Sequence, residues 1–333
     1  MSINLRLSIL LFSLFFNFNT SAQSITCNTK LTKPAYLKIG DTITIVAPAG
    51  ILKNKEPIEK AIKLVESWGL HVILGKHLFG SNFHFSGTDA ERTEDFQSAL
   101  DNKTVKAIWC GRGGYGTVRI IDDLNFTEFK KHPKWIIGYS DITVLHSHLH
   151  TLGYETLHAM MPVNMKVKKE DRLKTVKTFK KALFGKKLNY KIASSPYNKL
   201  GTAKGQLVGG NLSILQSLLG SVSSIDTKGK ILFIEDVGEY LYSIDRMIYA
   251  IKRSGYFENC KGIIVGGMTN IKDNSTPFGQ TIEEIILEAT KEFDFPIVFD
   301  FPAGHDKDNR AVFLGREIEM KVGKKHAVVK FIK

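Results

Sequence analysis

Three cysteines in 333 residues are too few for a disulfide framework, so the fold has to stand on an apolar core. With nine prolines and no low-complexity tract, the chain is neither collagenous nor a proline-rich linker array. Apolar residues at 43% and a mean hydropathy near zero exclude an intrinsically disordered chain and a multi-span membrane protein. Only one long apolar run occurs, Leu7 to Phe18 behind Arg6, and it is too short to cross a bilayer comfortably. Small residues follow it in Thr20-Ser-Ala22. Residues 1–22 therefore read as a secretory signal peptide, leaving no transmembrane span in a mature protein expected to be exported, into the periplasm. Cys27 lies close behind, but Ser24-Ile-Thr-Cys27 is a poor lipobox.

Acidic residues are the scarcer charge, 33 against 46 Lys and Arg, for a formal net charge of +13. The excess concentrates in Lys166 to Lys169 and Lys174 to Lys187, where Leu173, Val176, Phe179 and Leu183 recur at helical spacing. The lysines are thus expected on the wet face of an amphipathic helix. A nucleic-acid surface would need stacking aromatics among them; only Phe179 and Phe184 are there, so no nucleic-acid partner is expected. Attraction to anionic cell-wall polymers or head groups is the secondary reading.

β-branched runs at 41–48, 71–74, 105–110 and 135–139 alternate with helical spacing around 58–68, 88–100 and 141–152. Alternation of this kind demands a parallel sheet covered on both faces. Residues 166–200 end in the turn-rich Ala193-Ser-Ser-Pro-Tyr-Asn198 and read as a linker. New strands are expected at 230–234, 262–265, 296–299 and 318–322, with helices near 211–219, 240–254 and 281–293. The predicted fold is α/β. A parallel-sheet, flavodoxin- or Rossmann-like domain (36–165) precedes the linker, and a mixed domain with helices (201–333) follows it.

Trp135 to Gly138 followed by Tyr139-Ser140-Asp141 is a buried strand, a sharp turn and a helix start. That geometry would expose the Ser140 hydroxyl beside helix amides, as in a nucleophile elbow, although Ile142 stands where the usual second glycine would be. Serine is also a preferred N-cap, which needs no chemistry. Gly111-Arg-Gly-Gly-Tyr-Gly116 matches G-x-G-x-x-G, but it follows the third strand and no acid ends the next one, so a dinucleotide cofactor is not expected. The loop is either a tight turn or a set of amides held against a substrate. If Ser140 attacks a carbonyl, the amides of Gly114 and Asp141 would form the oxyanion hole.

Glu235, Asp236 and Glu239 end another apolar strand, where carboxylates face the ligand crevice of an α/β sheet or simply sit at the surface. Either Glu235 or Asp236 could orient a histidine. Gly304-His305-Asp306 lies in a polar loop that would present an imidazole or form a solvated turn. His146, His148 and His150 form the densest histidine cluster. No Glu stands between them as in H-E-x-x-H, so they are read as helix-surface and interface residues and no metal is assigned.

Ile45 to Ala49, Trp109 to Gly116, Ile137 to Thr143, Leu207 to Leu212, Phe233 to Glu239, Tyr242 to Arg246 and Pro302 to His305 resemble, in order, segments of the LD-carboxypeptidase family, which includes the microcin C self-immunity peptidases. The resemblance implies an N-terminal α/β domain carrying the nucleophile and a C-terminal barrel-like domain carrying the other two residues. It assigns Ser140 as nucleophile, Glu235 as acid and His305 as base, with no cofactor. It also implies cleavage of an L,D-peptide bond before a terminal D-residue, as in removing D-alanine from murein tetrapeptides. Arg112 is the candidate for the substrate's terminal carboxylate, by bidentate pairing. Many family members are cytoplasmic murein-recycling enzymes, whereas residues 1–22 of this chain read as an export signal. A metal-dependent hydrolase and a non-catalytic periplasmic ligand-binding protein are the competing readings, and both monomer and homodimer stay open.

Overall fold

The computed structural model describes residues 31–332. The expected signal peptide and Cys27 lie outside the described residues.

The N-terminal half builds β1 (Thr42–Val46), β2 (His71–Leu74), β3 (Val105–Cys110), β4 (Trp135–Gly138) and β5 (Thr156–His158). All four pairings among them are parallel. The helices α1 (Glu56–Glu66), α2 (Asp89–Asp101), α3 (Thr127–Lys131) and α4 (Thr143–Thr151) alternate with these strands. Parallel strands need such crossovers, and the Val-, Ile- and Trp-rich β1, β3 and β4 in the middle of the sheet are almost wholly buried, as a sheet covered on both faces requires, while the edge strand β2 is largely exposed. Helix α2 begins where its sequence says it should: Thr88 and Glu91 form a reciprocal capping box.

Next come α5 (Leu173–Leu183), β6 (Asn189–Ala193), β7 (Gly201–Asn211), α6 (Leu212–Ser217), β8 (Ile231–Val237), α7 (Leu241–Arg253), β9 (Gly262–Thr269), α8 (Ile282–Ala289), β10 (Ile297–Val298), β11 (Val312–Leu314), β12 (Glu317–Val322) and β13 (His326–Phe331). The first sheet runs β11-β5-β4-β3-β1-β2 and the second β10-β9-β8-β7-β12-β13-β6. The second is mixed: β7, β8, β9 and β10 pair in parallel, while β12, β13 and β6 add antiparallel ladders. Lys199 and Ile297 exchange backbone hydrogen bonds at 3.0 and 3.1 Å, tying the approach to β7 back to β10.

Two details depart from the expected organisation. Segment 166–200 contains the expected amphipathic helix as α5 and, in addition, the edge strand β6. Phe179 of α5 is fully buried against Trp68 and Trp109 of the N-terminal half, so burial rather than linker character fixes this stretch. Leu173, expected on the apolar stripe, is 57% exposed at the helix start. The second departure is β11, which leaves the C-terminal half to pair antiparallel with β5 at the edge of the first sheet.

The long strand β7 holds the halves together near the site. A β-carbon on Gly209 would lie 1.9 Å from the Phe233 carbonyl oxygen, and one on Gly210 2.5 Å from Thr143 Oγ1. Only glycine lets β7 press against both β8 and the start of α4. The Asn211 amide then donates to Thr143 Oγ1 at 3.0 Å.

Candidate active site

Ser140 follows β4 at the start of a 3₁₀ turn, Ser140–Ile142, that leads into α4. Its φ of +65° lies in the left-handed region, which costs a non-glycine residue about 1–3 kcal/mol and collects at functional turns. Ile142 is fully buried beneath the turn, where a side chain on Gly138 would collide with it at 2.8 Å. The position lacking the usual glycine is therefore a core position.

The glycine loop lies over this turn. A β-carbon on Gly113 would sit 2.9 Å from Ser140 Cβ, 3.1 Å from Oγ and 3.3 Å from the Asp141 nitrogen. One on Gly114 would instead face Gly50 and His84. The missing side chain of Gly113 thus opens the space beside the hydroxyl and the Asp141 amide, the kind of position a reacting carbonyl requires. The Asp141 carboxylate holds the loop in place by accepting the Thr117 amide at 2.8 Å. Burial raises the pKa of this carboxyl, partly offset by that bond and by Arg92. The Asp141 amide sits in the first turn of the 3₁₀ segment, where N–H groups point away from the helix without an intrahelical acceptor.

Glu235 and Asp236 are neighbours on β8, and successive strand residues face opposite ways. Glu235, fully buried, places Oε2 2.6 Å from His305 Nδ1. Asp236 turns to the other face, accepting Asn211 Nδ2 at 3.0 Å and the Ser213 amide at 2.9 Å. Burial and the adjacent Glu235 charge push the Asp236 carboxyl up to about 6. Glu235 accepts the His305 backbone N–H as well, at 3.2 Å. This close approach needs Gly304, whose φ is +108° and whose β-carbon would lie 2.7 Å from Glu235 Oε2. Asn309 Oδ1 fixes the same loop by accepting the Gly304 amide at 3.0 Å.

A carboxylate only accepts, so the His305 Nδ1 carries the proton and Nε2 is left as a base. Burial alone would lower the imidazole pKa, but the hydrogen bond and charge of Glu235, with Asp236 behind it, outweigh it and the net shift is upward. The His305 ring packs edge-on against Tyr139, with centroids 4.9 Å apart, one residue before Ser140. No hydrogen bond joins Ser140 Oγ to His305 among the described residues. Catalytic hydrogen bonds often close only once substrate is bound.

Tyr139 was missed in the sequence, as was the role of Asn164, whose Nδ2 donates to the Tyr139 hydroxyl at 2.9 Å. Burial pushes that phenol up to about 12. Arg112 donates to the Ile51 carbonyl at 2.8 Å and lies against Gly50. It flanks the glycine loop with part of its guanidinium committed to the backbone.

The histidine cluster is not a surface feature. His146 is buried, with Nε2 3.0 Å from the Gly138 carbonyl and Nδ1 2.9 Å from Thr156 Oγ1. The carbonyl fixes the Nε2–H tautomer, so this ring buttresses the elbow from beneath. His148 bonds Ser223 Oγ at 2.9 Å. Among the described residues no group of three or more His, Cys, Asp or Glu side chains is arranged to hold a metal ion.

Comparison with known proteins agrees with this architecture. Models of the LD-carboxypeptidase N-terminal and C-terminal domains match residues 43–159 and 204–320. A probable murein peptide carboxypeptidase of Bacillus subtilis (strain 168) is 37% identical over 305 residues, covering 89% of this chain and 94% of the relative. The murein tetrapeptide carboxypeptidase of Pseudomonas aeruginosa is 28% identical over 286 residues, covering 82% and 91%. Among solved structures, the muramoyltetrapeptide carboxypeptidase of Oxalobacter formigenes superposes with a TM-score of 0.80 at 26% identity, covering 88% of this chain and 99% of that one. The chain belongs to the LD-carboxypeptidase family. It is a hydrolase, a carboxypeptidase built on the same two-domain fold, which sets aside a non-catalytic binding protein.

Proposed function

We propose that the protein is an exported serine carboxypeptidase that hydrolyses the L,D-peptide bond before a C-terminal D-alanine in murein tetrapeptides. The observation that carries this reading is the buried Glu235–His305 pair, whose imidazole packs on Tyr139 beside the left-handed turn at Ser140. The names of the Bacillus, Pseudomonas and Oxalobacter relatives support the substrate class. The apolar segment at residues 7–18, followed by small residues, supports export.

In this reaction His305 Nε2 takes the Ser140 hydroxyl proton as Oγ attacks the penultimate carbonyl. The oxyanion forms in the space opened by Gly113, against the Asp141 amide and the glycine loop. His305 then gives its proton to the leaving D-alanine nitrogen, and an acyl-enzyme on Ser140 remains. Water, deprotonated by the same imidazole, cleaves the ester and restores the serine. Glu235 holds the Nδ1–H tautomer and stabilises the imidazolium in both halves.

The test incubates the mature protein with a murein tetrapeptide and follows free D-alanine by mass spectrometry. Release should persist in EDTA and fall about 10⁴-fold or more in Ser140→Ala. Near-native release by Ser140→Ala would sink the nucleophile assignment, and EDTA-sensitive release would favour a metal hydrolase.

A further inference from the structure

The site already described leaves one conspicuous surface unused. Residues 82–85 form a tight reversal in which Asn82 and Phe85 exchange backbone hydrogen bonds at 3.0 Å. Phe83 at its tip is 96% exposed and has φ +54°, a conformation that a two-residue turn ordinarily gives to glycine, asparagine or aspartate. An aromatic side chain here is disfavoured twice, by backbone strain and by its fully hydrated ring, and neither folding nor packing gains from it.

The reversal is built onto the active site. The Ile51 amide donates to the His84 carbonyl at 3.1 Å, the Ser86 amide to Ala49 at 3.1 Å, and the Gly50 amide to Gly113 at 3.0 Å. His84 Nε2 lies 4.0 Å from where a β-carbon on Gly114 would be, one residue along from the glycine that faces Ser140 Oγ. The His84 ring packs against Phe85 and Tyr115, with centroids 5.3 and 6.3 Å away, and Tyr115 is 47% exposed. The result is an exposed aromatic rim with an imidazole and a phenol on its edges, joined through backbone bonds to the catalytic loop.

The chemistry of the rim selects among ligands. A purely apolar partner would leave the His84 imidazole without use, and with it the proton of the Tyr115 hydroxyl, whose oxygen already meets the Arg119 guanidinium. A phosphate polymer would need free cations, but Arg119 pairs with Asp89 at 2.6 Å, Arg92 is buried, and Arg112 is bonded to Ile51. A pyranose fits both requirements, with C–H faces to lie on a ring and hydroxyl or acetamido groups to bond the imidazole and phenol. We propose that Phe83, His84 and Tyr115 form a saccharide subsite that grips the N-acetylated sugar of a muropeptide while its peptide reaches Ser140. This deepens the murein reading and rests on it.

Phe83→Gly is the decisive variant, because glycine adopts this backbone without strain and the catalytic groups stay in place. Saturation-transfer NMR with the peptide-free disaccharide of N-acetylglucosamine and N-acetylmuramic acid should show ring-proton signals with the wild type and none with Phe83→Gly. The preference in kcat/KM for disaccharide-tetrapeptide over free tetrapeptide should fall about 3- to 10-fold, with the free tetrapeptide rate unchanged. Absence of transfer in the wild type, or transfer and preference that survive Phe83→Gly, would overturn the subsite. So would a homodimer that dissociates in Phe83→Gly by sedimentation, since the rim would then be a self-contact. If the disaccharide binds through Phe83 but neither substrate releases D-alanine, the peptidase reading fails and the saccharide site stands.

Discussion

Glu235 Oε2 accepts two hydrogen bonds from one residue, the Nδ1–H of His305 at 2.6 Å and its backbone N–H at 3.2 Å. The carboxylate therefore fixes both the tautomer and the path of the loop that carries the ring. Because the net effect raises the imidazole pKa, kcat/KM should climb with pH through a value above the ordinary 6.5, as the base loses its proton. Glu235→Gln removes the charge and should move that limb to lower pH while cutting kcat by about 10⁴-fold, the cost of a misassigned tautomer. A rate flat from pH 5 to 8, or a limb unmoved in Glu235→Gln, would contradict His305 as the base.

Gly113 tests the space beside the hydroxyl. Its backbone is not in the left-handed region, so Gly113→Ala should fold, yet the new methyl would press on Ser140 Cβ and Oγ at 2.9 and 3.1 Å. We expect kcat/KM to fall about 10²- to 10³-fold, the scale of a lost oxyanion contact, with the unfolding midpoint shifted little. Gly114→Ala would strain a φ of +107° instead, so its loss should appear in stability as well as rate.

Legibility in the sequence followed how local each signal was. Strands β1, β3 and β4 announced themselves because their buried centres are unbroken β-branched and aromatic runs, and the exposed edge strand β2 by its short Val-Ile-Leu run. Strand β7 stayed hidden: four glycines in Gly201–Asn211 erase propensity, and two of them, Gly209 and Gly210, are there because β8 and Thr143 come too close for side chains. Strand β11 is three residues long and pairs with β5, a contact no window can report. At the site, Ser140, Glu235 and His305 each had a local motif and a family resemblance behind it. The choice between Glu235 and Asp236 needed strand alternation and the position of Gly304. Tyr139 lay within the resembling segment Ile137 to Thr143, but nothing local gave it a role, since its contact with His305 joins positions far apart in the chain.

Tyr139 offers a way to separate packing from chemistry. Its ring meets His305 at 4.9 Å, while its hydroxyl only accepts from Asn164. Tyr139→Phe should keep kcat within a few-fold and lose about 1 kcal/mol of stability from the orphaned Asn164 donor. Tyr139→Ala should lower kcat about 10- to 100-fold by freeing the imidazole, since a misplacement near 1 Å can cost that much. Equal kcat in the two variants would show that the ring does not position the base.

His146 makes a prediction about acid stability. Burial, partly countered by the Gly138 bond, pushes its pKa down to about 4, against about 6.5 in an unfolded chain. Between those values the unfolded state binds a proton that the native state refuses, so the histidine's contribution to stability is intact above pH 6.5 and is lost as pH falls toward 4. His146→Gln keeps a donor for the Gly138 carbonyl but cannot titrate. At pH 7.5 the variant should be the less stable protein through imperfect packing. By pH 5 the gap should have closed by about 2 kcal/mol, because only the wild type pays the protonation cost. Comparing the pair at each pH by urea unfolding cancels the other titrating groups they share, including the opposing Asp236 carboxyl. A gap that stays constant from pH 7.5 to 5 would mean that the imidazole beneath the elbow is already charged in the folded protein.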